Sequence, residues 1–250
     1  MKVLGCIPAR FGAMRFPGKP LKLIMGKPMI EWVYKRAAIA KNVDRTIVLT
    51  DDDRIYNAVV GFGGEALITS PNAESGTERI CSIMDSFNDY DIFVNIQGDE
   101  PLVNSADIDK TVALLKNDDK AEVATIASHF KDIETIDDPN LVKAVVGNND
   151  RVLYFSRSRI PFIRDPKDAV SYKYLKHIGL YVYTKNALRK FRTFKKTTLE
   201  QLEKLEQLRF LENGIGIKLT YTENEFIAVD CAEDIKKVEK YIKNNPDIKI

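Results

Sequence analysis

The chain has 250 residues, of which 44% are hydrophobic and 30% charged. That composition belongs to a folded protein with a sizeable core and excludes a mainly disordered one. Lys+Arg number 38 and Asp+Glu 36, so the net charge is only +2 and no broad basic field exists to hold a nucleic acid. Apolar runs last a few residues, far short of the ~18 needed to span a bilayer, so no membrane insertion is expected. The run Val3–Ile7 is too short for a signal-peptide core and is followed by no small-residue cleavage site. Cys6, Cys81 and Cys231 are odd in number and fit no zinc spacing. The cytoplasm is the expected compartment.

In chain order, β-rich runs predict strands over Val3–Pro8, Thr46–Thr50, Ala66–Thr69, Ile92–Gln97, Val123–Ala127, Val142–Val146, Val152–Ser156, Ile178–Thr184, Lys218–Thr222 and Ile227–Asp230. Apolar residues at helical spacing mark Ile55–Phe62, Ile80–Phe87, Ile108–Leu115 and Ile235–Ile242, and Met29–Lys41 and Leu199–Leu211 also read as helices. The alternation is that of an α/β fold: a mostly parallel central sheet flanked by helices, with an antiparallel, strand-rich excursion over about 120–185. No repeat or flexible linker divides the chain, so a single domain over 1–250 is expected. Ligands of such sheets bind beyond the carboxyl ends of the strands, so motifs at strand ends carry extra weight.

The first strand runs into Ala9-Arg10-Phe11-Gly12 and on to Arg15 and Gly18-Lys19-Pro20. Glycines that let backbone N–H groups approach an anion, with Arg10, Arg15 and Lys19 as cations, suit a polyphosphate. A P-loop is excluded, because five residues rather than four separate Gly12 from Gly18 and Pro20 stands where a Mg²⁺-binding Ser or Thr belongs. Ser75 and Glu78 have the spacing of a capping box at the start of a helix. Gly76 there permits close approach, and Arg79 could reach a base or a phosphate. Val94–Gln97 ends abruptly in Gly98-Asp99-Glu100-Pro101, and Ile227–Val229 ends in Asp230. Asp99 and Asp230 facing the cationic loop make a coherent divalent-metal pair for nucleotidyl transfer, although helix capping by Asp230 is the simpler reading of that residue alone. His177 beside a strand reads as structural, and no G-x-S-x-G element supports hydrolase chemistry.

Taken in order, these segments resemble the 3-deoxy-manno-octulosonate (Kdo) cytidylyltransferases, the CMP-Kdo synthetases. The resemblance runs through IPARFGAMRFPGKPL from Ile7, SGTERI from Ser75, VNIQGDEPL from Val94, LYFSRSRIP from Leu153, KHIGLYVY from Lys176, LEKLEQLR from Leu202 and VDCAED from Val229. It implies a nucleotide-diphospho-sugar transferase fold. It also implies attack by the anomeric hydroxyl of an eight-carbon acid sugar on the α-phosphorus of CTP, with Mg²⁺ as cofactor. A homodimer formed through the excursion, and a product feeding lipopolysaccharide or capsule synthesis, come with it. By resemblance Ala9, Arg10, Arg15 and Lys19 would hold the nucleotide, with Arg10, Lys19 and Asp99 catalytic. Ser75, Arg79 and Gln97 would lie around the nucleotide and the reacting sugar, and Asp99 and Asp230 would bind Mg²⁺. Gln97, Arg157, His177, Tyr181, Glu206 and Gln207 would meet the sugar acid, which gives His177 and the Glu206-Gln207 pair a role that residue pattern alone does not.

The sequence departs from the family pattern before SGTER, where TR-x-x-H is usual. Ser70 stands for the Arg and Ala73 for the His, which removes a cation and a titratable donor near the mouth of the site. An 8-amino-8-deoxy sugar, whose ammonium nearby cations would repel, is therefore the runner-up substrate to Kdo. Outside this class the alternatives are a P-loop-like NTPase, which the glycine spacing opposes, and a non-catalytic nucleotide-sugar binding module.

Overall fold

The computed structural model describes residues 1–12, 16–165, 167 and 172–250. Its centre is a nine-stranded sheet. Four parallel strands form one half: β1 (Val3–Ala9), β4 (Arg45–Thr50), β5 (Ala66–Ile68) and β6 (Ile92–Asn95), with β1 between β4 and β6. A small hairpin of β2 (Leu23–Ile24) and β3 (Lys27–Pro28) follows β1 in the chain. The other half holds β7 (Val123–His129), β8 (Lys143–Val146), β9 (Val152–Ser156), β10 (Leu175–Thr184) and β11 (Ile217–Thr222). There β10 runs antiparallel between β6 and β7, β11 returns parallel to β7, and β8 and β9 form an antiparallel ladder off β10. The expected mostly parallel sheet with an antiparallel excursion is what forms.

Alternation along the buried strands sends side chains to two cores. Leu4, Cys6, Leu49 and Phe93 face α3 (Gly76–Ile83), α5 (Lys185–Thr193) and α7 (Leu208–Glu212). Val3, Ile7, Val48 and Val94 face α1 (Met29–Ala38), α2 (Asp53–Gly61) and α4 (Ser105–Lys116). Each fully buried aliphatic or aromatic side chain stabilises this arrangement by about 1.5–3 kcal/mol. A third, smaller cluster joins the ends of the chain. Val229, Val238 and Ile242, the last two on α8 (Ala232–Asn244), pack with Ile24, Met29 and Trp32.

Three expectations are corrected. Ile227–Asp230 is not a strand: Val229 is buried in the third cluster and donates one backbone bond to Asp99 O at 3.0 Å, but no ladder forms. Leu199–Leu211 is not one helix, because Lys204 takes a left-handed conformation (φ 53°) that separates α6 (Thr198–Glu203) from α7. Helix α5 has no counterpart in the sequence reading. It is capped by Thr184, whose side chain accepts from Ala187 N, and it buries Ala187, Leu188 and Phe191. Among the described residues no helix is long and apolar enough to cross a membrane.

Candidate active site

The carboxyl ends of β1 and β6 open into a cleft of about 550 Å³, lined among others by Ala9, Arg10, Lys19, Ser75, Arg79, Gln97, Asp99 and Asp230. Backbone geometry builds it. Gly18 N donates to Phe11 O at 2.9 Å and closes the loop after β1, and Gly18 sits at φ 67°, where a side chain would be strained. A short 3₁₀ turn, Lys19–Leu21, then aims Lys19 back into the cleft. On the other side β6 leaves the sheet through Gly98, where a Cβ would lie 2.8 Å from Pro8 O. Only glycine lets these two strand ends pass so closely. Its neighbours diverge from there, Gln97 donating to Gly179 O at 3.1 Å and Asp99 reaching Lys19.

Lys19 Nζ lies 2.6 Å from Asp99 Oδ2 and 3.4 Å from Asp230 Oδ1, so both carboxylates address one cation. Asp230 is held there from behind by buried Val229, and it does not cap α8. Cys231 takes that position, with the Asp234 carboxylate accepting from the N–H of both Cys231 and Asp230. The donors are hard oxygens converging on one point, which fits Mg²⁺ held by two carboxylates plus phosphate oxygens better than a closed protein cage. Among the described residues no group of three or more His, Cys, Asp and Glu gathers as a metal cage.

At the opposite wall, Ser75 Oγ accepts from Glu78 N at 3.1 Å and caps α3. The other half of the capping box is altered, because Glu78 Oε2 accepts from Glu74 N rather than from Ser75 N. Arg10 is exposed and donates to Glu74 O at 3.1 Å. Arg79 is buried and committed inward: it pairs with Asp51 at 2.9 Å and donates to Thr69 Oγ1 and Ser70 O, bracing the 69–75 loop. Its guanidinium thus has protein partners where the sequence reading offered it a phosphate or base. Arg15 lies outside the described residues.

Behind Gln97 and Ser75 lies a second set. An irregularity in β10 between Ile178 and Tyr181 swings His177 and Tyr181 to neighbouring positions, their rings 5.3 Å apart. Thr125 Oγ1 donates to Leu180 O at 2.8 Å, so its 3.1 Å contact with His177 Nε2 is one it accepts, and His177 carries its proton on Nε2. Burial pushes His177 down to about 3, leaving it neutral at pH 7. Glu206 comes beside the Ser75 and Thr77 hydroxyls, and burial raises its carboxyl above the usual range. Gln207 is buried beside it. Among the described residues, Tyr181 OH, Glu206 Oε2 and Asn95 Oδ1 are buried without a hydrogen-bond partner. Such atoms cost about 1–3 kcal/mol each unless something else satisfies them.

The sequence-predicted residues therefore fall into a mouth (Ala9, Arg10, Lys19, Ser75, Arg79, Asp99, Asp230) and an inner set (His177, Tyr181, Glu206, Gln207), with Gln97 lining the mouth on the side of the inner set. Arg157 joins neither, because its guanidinium is spent on the carbonyls of Glu203, Pro139 and Lys204. Sequence reasoning missed Thr77, Asn95 and Tyr183. Thr77 Oγ1 bonds Tyr183 OH at 3.1 Å, and Asn95 reaches the same hydroxyl. Asn95 and Gln97 as polar residues two apart in an apolar strand were the available signal. Glu100 was also missed. Its Oε2 is buried without a partner, and burial, with Asp99 and Asp230 nearby, pushes it up to about 8.

A family model described as cytidylyltransferase matches residues 4–224. The chain belongs to the cytidylyltransferase family. It is 46% identical, over the whole of both chains, to the 3-deoxy-manno-octulosonate cytidylyltransferase of Fusobacterium nucleatum. It is 48% identical to the 8-amino-3,8-dideoxy-manno-octulosonate cytidylyltransferase of Shewanella frigidimarina, over 96% of this chain and 98% of that one. Among solved structures, CMP:2-keto-3-deoxy-manno-octonic acid synthetase complexed with CTP superposes with a TM-score of 0.91 at 38% identity, covering 98% of this chain and 99% of that one. The cytidylyltransferase fold extends further, to a protein of Leptospira borgpetersenii that is 19% identical with a TM-score of 0.63.

Proposed function

We propose that this cytidylyltransferase joins CTP to 3-deoxy-manno-octulosonate. The anomeric oxygen forms a bond to the α-phosphorus, the bond from that phosphorus to the β-phosphate bridging oxygen breaks, and pyrophosphate leaves as the hydroxyl proton passes to solvent or a nearby base. The observation that carries this reading is a charged cleft, lined by Arg10, Lys19, Asp99 and Asp230, with a cluster of neutral polar side chains packed behind Gln97. Arg10 and Lys19 supply cations for the triphosphate, and the N-terminus of α3 turns its N–H groups toward the same cleft. Asp99 and Asp230 would hold Mg²⁺, which when bound offsets charge developing on the transferred phosphate. Gln97 stands between the two compartments, and the unpartnered Tyr181 and Glu206 oxygens suit sugar hydroxyls. Neutral His177 offers the sugar a hydrogen-bonding edge without a charge.

The 8-amino sugar is the second reading, favoured by one feature. Ala73 lines the cleft and Ser70 is exposed nearby, so the family Arg that would repel an ammonium, and the family His beside it, are missing from that wall. Pyrophosphate release with Mg²⁺ and CTP, measured with Kdo, with the 8-amino sugar and with no sugar, decides. Turnover with Kdo upholds the first reading, and turnover only with the amino sugar moves the assignment to the second. Silence with both, while CTP still binds, would leave a nucleotide-binding module. A homodimer in the cytoplasm, supplying lipopolysaccharide synthesis, completes the reading. Exposed Leu153, Phe162 and Tyr172 on the excursion support the dimer surface.

A further inference from the structure

Lys19 does something that phosphate binding alone leaves unexplained. Its side chain is 12% exposed, whereas Asp99 and Asp230 are 32% and 52% exposed. The less accessible group is thus the cation, seated on one oxygen of each carboxylate that a divalent ion would need. Asp99 and Asp230 repel one another, and a single ammonium in contact with both offsets that repulsion. A divalent ion on the same oxygens would meet the ammonium within contact distance, and two unshielded cations cannot share so small a space. Lysine is also a mobile cation. Its four-carbon stem lets Nζ move without the backbone, which the turn after Gly18 and buried Pro20 hold in place.

We propose that Lys19 is an interlock between nucleotide and metal. In the nucleotide-free protein its ammonium closes the Asp99–Asp230 pair to divalent cations, and a triphosphate opens the pair by drawing the ammonium onto its own oxygens. The inference rests on the nucleotidyl-transfer reading of the cleft and adds an order of events to it. Metal enters with or after the nucleotide, and each tightens the other by the same factor. Replacing Lys19 by an uncharged residue removes the lock, so metal binding no longer waits for nucleotide.

The test uses Mn²⁺ as a paramagnetic probe of the full chain without nucleotide, counting free ion by its resonance signal. Wild type and Lys19→Arg are expected to bind Mn²⁺ weakly. Lys19→Met should bind it at least about tenfold tighter, the scale set by removing one contacting charge. Asp99→Asn added to Lys19→Met should abolish the gain, which ties it to this pair. Equal Mn²⁺ affinity in wild type and Lys19→Met overturns the interlock, as does an absence of binding in Lys19→Met. Either result leaves the cytidylyl-transfer reading to stand or fall separately on pyrophosphate release. If Lys19→Met is unstable, its melting temperature replaces the titration. A rise with Mn²⁺ larger than the wild-type rise supports the lock, and an equal or smaller rise overturns it.

Discussion

The two sides of Gly98 solve opposite electrostatic problems. Toward solvent, Asp99, Asp230, Lys19 and Arg10 are charged and satisfied by one another or by a backbone carbonyl. Toward the interior, among the described residues, Tyr181, Asn95 and Glu206 each keep one buried oxygen without a hydrogen-bond partner, and His177 is held neutral. At the mouth the two carboxylates are partly open to water, so these pairs can exchange partners at modest cost. Buried orphan groups do not; they stay costly until something that fits supplies the missing bond. On the proposed reading, such a division suits a ligand with one polyanionic end and one hydroxylated end, with charge neutralisation at the mouth and discrimination at the inner cluster.

The largest expected effect comes from breaking the mouth. Asp99→Ala should lower the rate of pyrophosphate release on the order of a hundredfold or more while leaving CTP binding measurable, because the charge it removes matters most in the transition state. Equal turnover in the variant would mean that the acid pair only stabilises the fold. Next is the boundary itself. Gly98→Ala puts a methyl group 2.8 Å from the Pro8 carbonyl oxygen, so β1 and β6 must separate. A loss of about 2 kcal/mol in urea unfolding is expected, in the range of overpacking into rigid surroundings. Both compartments should suffer together, with KM rising for nucleotide and for sugar. A change confined to one of them would show that Gly98 does not couple the two.

Much of the mouth was legible because strand ends announce themselves. An apolar run that stops in Gly98-Asp99-Glu100-Pro101 has few other readings, and cations after a first strand lie at the ligand edge of any such sheet. The inner cluster was not legible from residue pattern. Glu206 and Gln207 look like a solvated helix face until Lys204 turns the chain between α6 and α7, and that left-handed residue carries no glycine to mark it. The family resemblance named these residues where periodicity did not. Ile227–Asp230 failed in the opposite sense. Its apolar residues answer to α8 and Trp32 rather than to a neighbouring strand, and a short apolar run reads the same in both settings. Helix α5 went unseen because it follows β10 with no turn between them, and Lys185, Arg189, Lys190 and Arg192 dilute its apolar stripe.

In the inner cluster a smaller, selective effect is expected. Glu206→Leu should raise KM for the sugar about tenfold, the size of one lost hydrogen bond to a neutral hydroxyl, and leave KM for CTP within about twofold. Steady-state kinetics with each substrate varied in turn measures both. If KM for CTP rises as much as KM for the sugar, the inner set is not a separate compartment.

The smallest effect tests whether the inner cluster keeps His177 neutral. His177 is half-buried between Phe155 and Tyr181, with ring centroids 4.8 and 5.3 Å away, and burial pushes it down to about 3. In the unfolded chain the same imidazole titrates near 6.5. Between these values the unfolded state binds a proton that the native state refuses, so stability is highest above pH 6.5 and falls as pH drops through 6.5 toward 3. The full slope would be about 1.4 kcal/mol per pH unit in that window. Partial access of the residue to solvent lowers this, so the expected loss from His177 between pH 6.5 and pH 5 is about 1 kcal/mol. His177→Gln keeps an N–H to donate to Thr125 but has nothing to protonate, so its stability should fall less over the same interval. Urea unfolding of both proteins at pH 7 and pH 5 isolates the difference, since every other titrating group is shared. A variant that loses as much as wild type would mean that native His177 accepts a proton readily, and the contrast between a charged mouth and a neutral inner cluster would not survive that result.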